Sequence, residues 1–324
     1  MTRRLASTLL TSAVLSPSAV IPMLTLSSPD ASVSFDLRGG SLVDFHLTGS
    51  GVNPFTWVQT VEPKVEPLRG HFVCLDRWGA PSEAEIARGV PYHGEAPRVL
   101  WKATGPRTMA AKLPIANFSI ERDLTLTGAT LNVRERVTNR NPTGRVYNMV
   151  QHPTIAPPFL DEETFIDANA GLGFAQATPN QEPQPFPRAH TADLRRLTSD
   201  PLPNVVSYII EGPTGWVTAA SPTSALVLAY LWKTNEYPWL NIWRDVAKGR
   251  PVARGLEFGS TGLHQPYPEL IRRGRMLDRP LFSYLDAGES VERTYTMSLS
   301  RLPAGTKRIT QVQAVGSRLD LQFD

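Results

Sequence analysis

The chain is poor in the residues that redox, metal or nucleotide chemistry needs. One cysteine, Cys74, stands among 324 residues, so no intrachain disulfide forms. Its neighbours in Phe72-Val73-Cys74-Leu75 are apolar, the setting of a small buried hydrophobe rather than a nucleophile. The six histidines, at positions 46, 71, 93, 152, 190 and 264, include no pair at the i, i+4 spacing of a zinc-binding helix. Gly171-Leu172-Gly173 lacks the third glycine and the helix of a dinucleotide fingerprint, and there is no G-x-S-x-G elbow. No metal and no cofactor is therefore expected.

Charge of one sign is also lacking: 33 basic residues face 30 acidic ones, a net charge of +3. The densest basic run, Ile271-Arg272-Arg273-Gly274-Arg275, has no interleaved aromatics and reads as a solvated loop, not a nucleic-acid surface. No apolar run reaches the ~18 residues of a membrane span. Thr2-Arg3-Arg4 precedes a modestly apolar stretch, residues 5–15, in the order of an export signal, although Pro17 and Pro22 interrupt it. Residues 1–28 are thus expected to be a leader or a disordered N-terminal segment. The preference is for an exported protein, with a cytoplasmic protein carrying a disordered tail as the alternative. Residues 29–324 read as one domain, and no feature specifies an oligomeric state.

Proline and glycine are plentiful, at 29 and 23, and lie spread along the chain. Such punctuation suits many short strands and argues against long helices. Val33, Phe35 and Leu37 alternate with Ser34, Asp36 and Arg38 before Gly39-Gly40 turns the chain. Phe118, Ile120, Leu124 and Leu126 share a face, with Arg122 as the exception. Residues 205–210, 224–232 and 291–299 continue the pattern. The short helix candidates, residues 82–88 and 191–197, are expected as surface connectors. The expected class is all-β, a sandwich or barrel rather than a βαβ fold. Residues 161–200 and 259–280 carry little strand signal and read as long loops, where binding groups usually sit.

The most informative stretch is residues 129–160. Leu131, Val133 and Val137 alternate with Asn132, Arg134, Arg136 and Thr138, a strand that breaks at Asn139-Arg140-Asn141-Pro142. A second strand, residues 146–150, is expected to deliver His152 at its end. A histidine on so rigid a mount suits proton transfer near neutral pH.

The ordered pattern L-x-V-x-x-x-V-T-N … N-x-x-x-H-P, over Leu131–Asn139 and Asn148–Pro153, resembles the aldose 1-epimerase (galactose mutarotase) superfamily. Pro91-Tyr92-His93-Gly94 resembles the family's His-Gly motif, and Arg254-Gly255-Leu256-Glu257 its late strand with the catalytic glutamate. The resemblance runs from about residue 32 to 303. It implies a large twisted antiparallel β-sandwich acting on a small-molecule sugar, interconverting the α and β anomers of a free aldohexose. Such ring opening needs a base for the C1 hydroxyl proton and an acid for the ring oxygen. A carboxylate and an imidazole, with ordinary pKa values of about 4.3 and 6.5, suit those tasks. By the resemblance Glu257 is the base, His152 the acid, and His93 a group that aligns the sugar. An arginine upstream of the His-Gly motif is also implied; Arg69 has nearly the family's spacing, and Arg77 lies closer. This region departs from the family, since Asp76-Arg77-Trp78-Gly79 stands where an asparagine-arginine element is usual. Trp243 falls near the pocket-lining strand and is expected to touch the sugar, with Trp232 and Trp239 left to the core. Two alternatives stay open: a non-catalytic carbohydrate-binding protein on the same fold, and a hexose-phosphate mutarotase with an arginine pair, Arg69 with Arg77 or Arg272 with Arg275.

Overall fold

The computed structural model describes residues 21–61, 65–189, 192–196 and 204–324. Two antiparallel sheets dominate it. The larger has 11 strands, its main path running Met23–Ser27, Ala31–Asp36, Ser41–Leu47, His71–Asp76, Arg145–Ile155, Arg250–Gly259, Trp239–Ala247, Asn204–Ile210, Ala170–Ala175 and Gln184–Pro185. The smaller has eight, from Phe165–Ala168 through Thr214–Ser221, Leu226–Lys233, Ser290–Arg301, Thr130–Asn139, Phe118–Thr127 and Thr108–Leu113 to Lys102–Gly105. One continuous cluster of buried side chains draws on both sheets, with Val33, Phe35, Met149, Ile242 and Leu256 from the larger and Ile120, Val133, Leu228 and Met297 from the smaller. This is the expected all-β sandwich.

The period of two explains how these strands hold the core. In Thr130–Asn139 the odd-numbered positions 131, 133, 135 and 137 are all buried. That face carries Glu135, whose cross-strand partner is Arg122. Arg122, the polar exception on its strand, ends 2.7 Å from Glu135, with both side chains almost wholly buried. Its guanidinium also donates to the Gly40 carbonyl at 2.6 Å. Gln151 donates to the other Glu135 oxygen at 2.5 Å and lies 3.3 Å from His71 Nε2. The Tyr230 hydroxyl lies 3.1 Å from His71 Nδ1. A polar network therefore crosses the sandwich interior and joins the two sheets beneath the strands that carry His152.

The structure departs from the sequence reading in five places. Residues 161–200, read as a long loop, supply Phe165–Ala168 to the smaller sheet and Ala170–Ala175 to the larger, since strands of four and six residues, the second holding two glycines, give little alternation to read. The strand bearing His152 extends over Arg145–Ile155, so the histidine lies inside it rather than at its end. The helix expected over residues 191–197 is absent where that segment is described: Ala192–Asp193 pairs with Arg188–Ala189 as a small hairpin. A helix does form at Tyr267–Arg273, in a segment read as loop, started by Pro266 and Pro268 and ended by Gly274 at φ 70°. Met23–Ser27 is an edge strand on Ala31–Asp36, inside the segment assigned to a leader; residues 1–20 of that segment lie outside the described residues. The other helix candidate does form, as Glu83–Ala87, with a Ser82–Glu85 capping box. Among the described residues no helix is long and apolar enough to cross a membrane.

Removing Glu135 leaves the Arg122 guanidinium buried without its counter-charge, which typically costs about 3–5 kcal/mol. Glu135→Ala is therefore expected to lower the urea midpoint strongly, and the double variant Arg122→Met/Glu135→Leu to recover most of the loss. An unchanged midpoint in Glu135→Ala would contradict the role given to this pair.

Candidate active site

Strand register brings the chemistry together. Gln151 sits opposite Phe258 and Thr154 opposite Gly255, which places His152 directly across from Glu257. Phe72 lies opposite His152 on the other side, and Asn241 opposite Glu257. The outward face of the larger sheet thus carries a row, Phe72–His152–Glu257–Asn241, on adjacent strands. His152 Nε2 lies 3.2 Å from Glu257 Oε1, and its Nδ1 lies 3.0 Å from the Thr154 hydroxyl. Phe72 stacks on the His152 ring with centroids 4.3 Å apart.

Gly255 precedes Glu257 by two residues on the same face. A Cβ there would come within 2.8 Å of Glu257 Oε1 and 3.2 Å of the Trp243 Cβ, so glycine leaves room for the carboxylate. The glycines after the strand serve packing: a Cβ on Gly259 would strike Val150, and one on Gly262 would strike Trp239.

His93 comes from a loop with left-handed backbone at both His93 (φ 65°) and Gly94 (φ 76°). Gly94 pairs with Leu75, whose carbonyl would sit 2.3 Å from any Cβ at position 94, so glycine is required there. His93 Nδ1 accepts the Gly79 N–H at 3.2 Å, which leaves the proton on Nε2. Cys74 Sγ lies 3.2 Å from the same nitrogen, and Cys74 is buried, as its apolar neighbours suggest. The His93 and His152 rings meet edge to face at 5.0 Å.

These groups line a cleft of about 410 Å³, part of it open to solvent. Its walls are aromatic, with Trp57, Trp78, Tyr92 and Trp243 around His93, His152, His264 and Glu257. Four of the five residues singled out in the sequence therefore share one site. Arg69 is not among its lining residues; its guanidinium pairs with Asp36 at 3.0 Å and with Glu66 at 3.5 Å. Arg77 is buried and donates to the carbonyls of Ala80 and Gln265. Arg272 pairs with Glu269 on the surface helix. Trp232 and Trp239 are core residues, as expected.

Trp57, Trp78 and His264 escaped the sequence reading. Trp78 donates from its indole nitrogen to Glu257 Oε2 at 2.7 Å. His264 packs edge-on against Trp78 at 4.8 Å, and its backbone N–H donates to Gln176. No sequence signal marked either; in the structure Gly79, at φ 87°, leaves a space that a Cβ would fill 1.7 Å from His264 Nε2.

The cleft's electrostatics follow from burial in a site without cations among its described lining residues. Desolvation pushes the Glu257 carboxyl up to about 8, against the smaller opposing effect of the Trp78 hydrogen bond. Desolvation likewise drives His152 down to about 3, and His93 well below its ordinary value. Between those limits the His152–Glu257 pair holds one proton along its hydrogen bond, with no net charge. Among the described residues no group of three histidine, cysteine or carboxylate side chains is arranged to hold a metal ion.

No protein-family model and no curated protein matches this sequence. Solved structures do match. The Slr1438 protein of Synechocystis sp. PCC 6803 superposes with a TM-score of 0.66 at 14% identity, over 90% of this chain and 100% of its own. A galactose mutarotase related enzyme from Lactobacillus acidophilus matches with a TM-score of 0.64 at 13% identity, over 87% and 99%. The fold is that of the galactose mutarotase-like proteins. A galactose mutarotase-like protein from Lactobacillus casei matches at 0.61 and 15%, over 86% and 100%. The resemblance read from the sequence motifs thus holds at the level of the fold.

A carboxyl whose folded pKa lies above its unfolded value takes up a proton on folding, so the Glu257 contribution to stability falls as pH rises from about 4.5 to about 8. His152, whose folded pKa is lowered, offsets this below about 6.5, and the net wild-type loss falls between about 6.5 and 8. Glu257→Gln escapes that loss. Its stability should match wild type near pH 4 and exceed it at pH 8.5, by up to about 5 kcal/mol, read as a higher thermal midpoint. Equal midpoints at both pH values would refute the raised pKa.

Proposed function

We propose that the cleft is the active site of an aldose 1-epimerase-like enzyme, which opens and recloses the ring of a free, uncharged aldose. The observation that carries this reading is the 3.2 Å contact between His152 Nε2 and Glu257 Oε1 in an aromatic cleft. Two proton-carrying groups this close reach adjacent atoms of one small molecule. A sugar entering the cleft breaks their mutual hydrogen bond and takes one group on each side of its C1–O5 bond.

In the active arrangement the pair's one proton sits on His152 and Glu257 is a carboxylate. Glu257 removes the proton from the C1 hydroxyl as His152 protonates the ring oxygen. The C1–O5 bond breaks, and the open-chain aldehyde forms with the proton now on Glu257. Rotation about C1–C2 presents the other carbonyl face. Glu257 then returns its proton to the carbonyl oxygen while His152 takes the proton of the attacking C5 hydroxyl. The proton count of the pair is the same before and after. His93 Nε2–H serves as a fixed donor to a sugar oxygen, and Trp243 offers an apolar face to sugar C–H groups.

The substrate's charge is argued from the walls. A phosphate is ordinarily held by arginine or lysine, and neither lines the cleft among the described residues. The arginines considered for that task are engaged elsewhere, Arg69 with Asp36, Arg77 with backbone carbonyls, Arg272 with Glu269 and Arg275 with the Asp278 carbonyl. A neutral sugar fits better than a hexose phosphate.

Polarimetry on freshly dissolved α-D-glucose and α-D-galactose tests the reading. Wild type should accelerate mutarotation of at least one of them, and Glu257→Gln and His152→Ala should each lose about 10²-fold or more. Acceleration should decline as pH rises above about 8, where the pair gives up its proton. A folded wild type that accelerates neither sugar, yet binds one, would favour the non-catalytic sugar-binding alternative.

A further inference from the structure

We propose that Trp78 is a positioning residue for the reacting carboxylate: its indole N–H holds Glu257 Oε2 so that Oε1 faces His152 and the cleft. The proposal rests on the acid/base reading of Glu257. With the indole nitrogen 2.7 Å from Oε2 and His152 Nε2 3.2 Å from Oε1, the carboxylate is bonded on both oxygens by two separate elements. When an entering sugar takes the place of His152 at Oε1, the Trp78 bond to Oε2 remains and keeps Oε1 turned to the cleft.

Three other buried indoles spend their N–H groups differently. Trp101 donates to the Ala96 carbonyl, Trp232 to that of Tyr237 and Trp239 to that of Pro280. Each satisfies a backbone acceptor, as a core tryptophan ordinarily does. Trp78 gives its N–H to an ionisable side chain 179 positions away.

The chain around Trp78 is clamped on every side. The strand His71–Asp76 ends with Asp76 at φ 75°, which turns the next residues across the end of the sheet. The Arg77 guanidinium donates to the Ala80 carbonyl and, at 2.7 Å, to that of Gln265, tying this turn to the segment after Glu257's strand. Gly79 donates its N–H to His93 Nδ1 and accepts the His93 backbone N–H. His264 closes the far side of the indole, itself anchored through Gln176, which also donates to the Gly262 carbonyl at 2.7 Å. An indole needed only to fill space would not require a left-handed glycine, a buried arginine and two histidines to aim it.

The hydrogen bond favours the carboxylate over the carboxylic acid, since an N–H can only donate. Trp78→Phe keeps an aromatic ring and removes the donor. In protein labelled with ¹³C at glutamate carboxyls, the Glu257 signal is assigned by its loss in Glu257→Gln. In Trp78→Phe it should titrate about 1 pH unit or more above wild type. Trp78→His, which keeps a ring N–H at a similar distance from Cβ, should titrate closer to wild type. In ¹⁵N-tryptophan-labelled wild type, the Trp78 indole signal should move with the carboxyl titration and stand still in Glu257→Gln. That measurement needs no Trp78 variant to fold. An unshifted Glu257 titration in folded Trp78→Phe, or an indole signal indifferent to that titration, overturns the proposal. If instead these shifts appear while wild type accelerates no sugar, the sugar chemistry fails and the Trp78–Glu257 coupling stands.

Discussion

The site depends on the register between the strands Arg145–Ile155 and Arg250–Gly259. Because side chains alternate, a slip of one residue in either strand would turn that strand's site residue, His152 or Glu257, into the sandwich interior and push its neighbour, Gln151 or Phe258, out. Register here is held from the inner face. Phe258 stacks on Trp232 with centroids 4.3 Å apart, and Gln151 is bonded to Glu135 and Tyr237. A polar side chain locked into a buried network specifies one register more sharply than apolar packing does, since every alternative leaves its partners unsatisfied. The outer face carries the candidate site and the inner face fixes where it stands.

The second constraint is electrostatic. Two ionisable groups are held in a cleft with aromatic walls, where burial disfavours a charge on either. The pair avoids that cost by sharing one proton and remaining neutral. Burial raises the carboxyl and lowers the imidazole, so it favours the shared proton on Glu257, and the proposed reaction needs that proton moved to His152. Trp78 tilts the balance toward the carboxylate from one side, and Thr154 orients the imidazole from the other.

Much of this was legible in the chain, and for definable reasons. Alternation in residues 130–139 reports a half-buried strand directly, because a period of two has no other common cause. Arg122 looked like an exception because its partner Glu135 lies on the next strand, and single-strand periodicity cannot reveal a cross-strand ion pair. His93, His152 and Glu257 were found through short motifs, and the fold places them together. Arg69 was chosen by spacing alone, and spacing says nothing of Asp36, 33 positions earlier, which holds it at 3.0 Å. Trp57, Trp78 and His264 reach the cleft from loops, where no periodicity reports direction.

The absence of cationic side chains from the described cleft walls bears on what the site discriminates. An arginine there would lower the carboxyl pKa of Glu257 and fix its proton state. It would also tie recognition to an anionic ligand group. Without one, and on the proposed sugar reading, selectivity would fall to the fit of sugar C–H faces against Trp57, Trp78 and Trp243 and to a few fixed donors such as His93 Nε2–H. Apolar fit separates close analogues only weakly, whereas a buried donor left unpaired by the wrong sugar separates them strongly. The hydroxyl that meets His93 is therefore the one whose configuration should matter most. Sugars differing elsewhere on the ring should be distinguished far less.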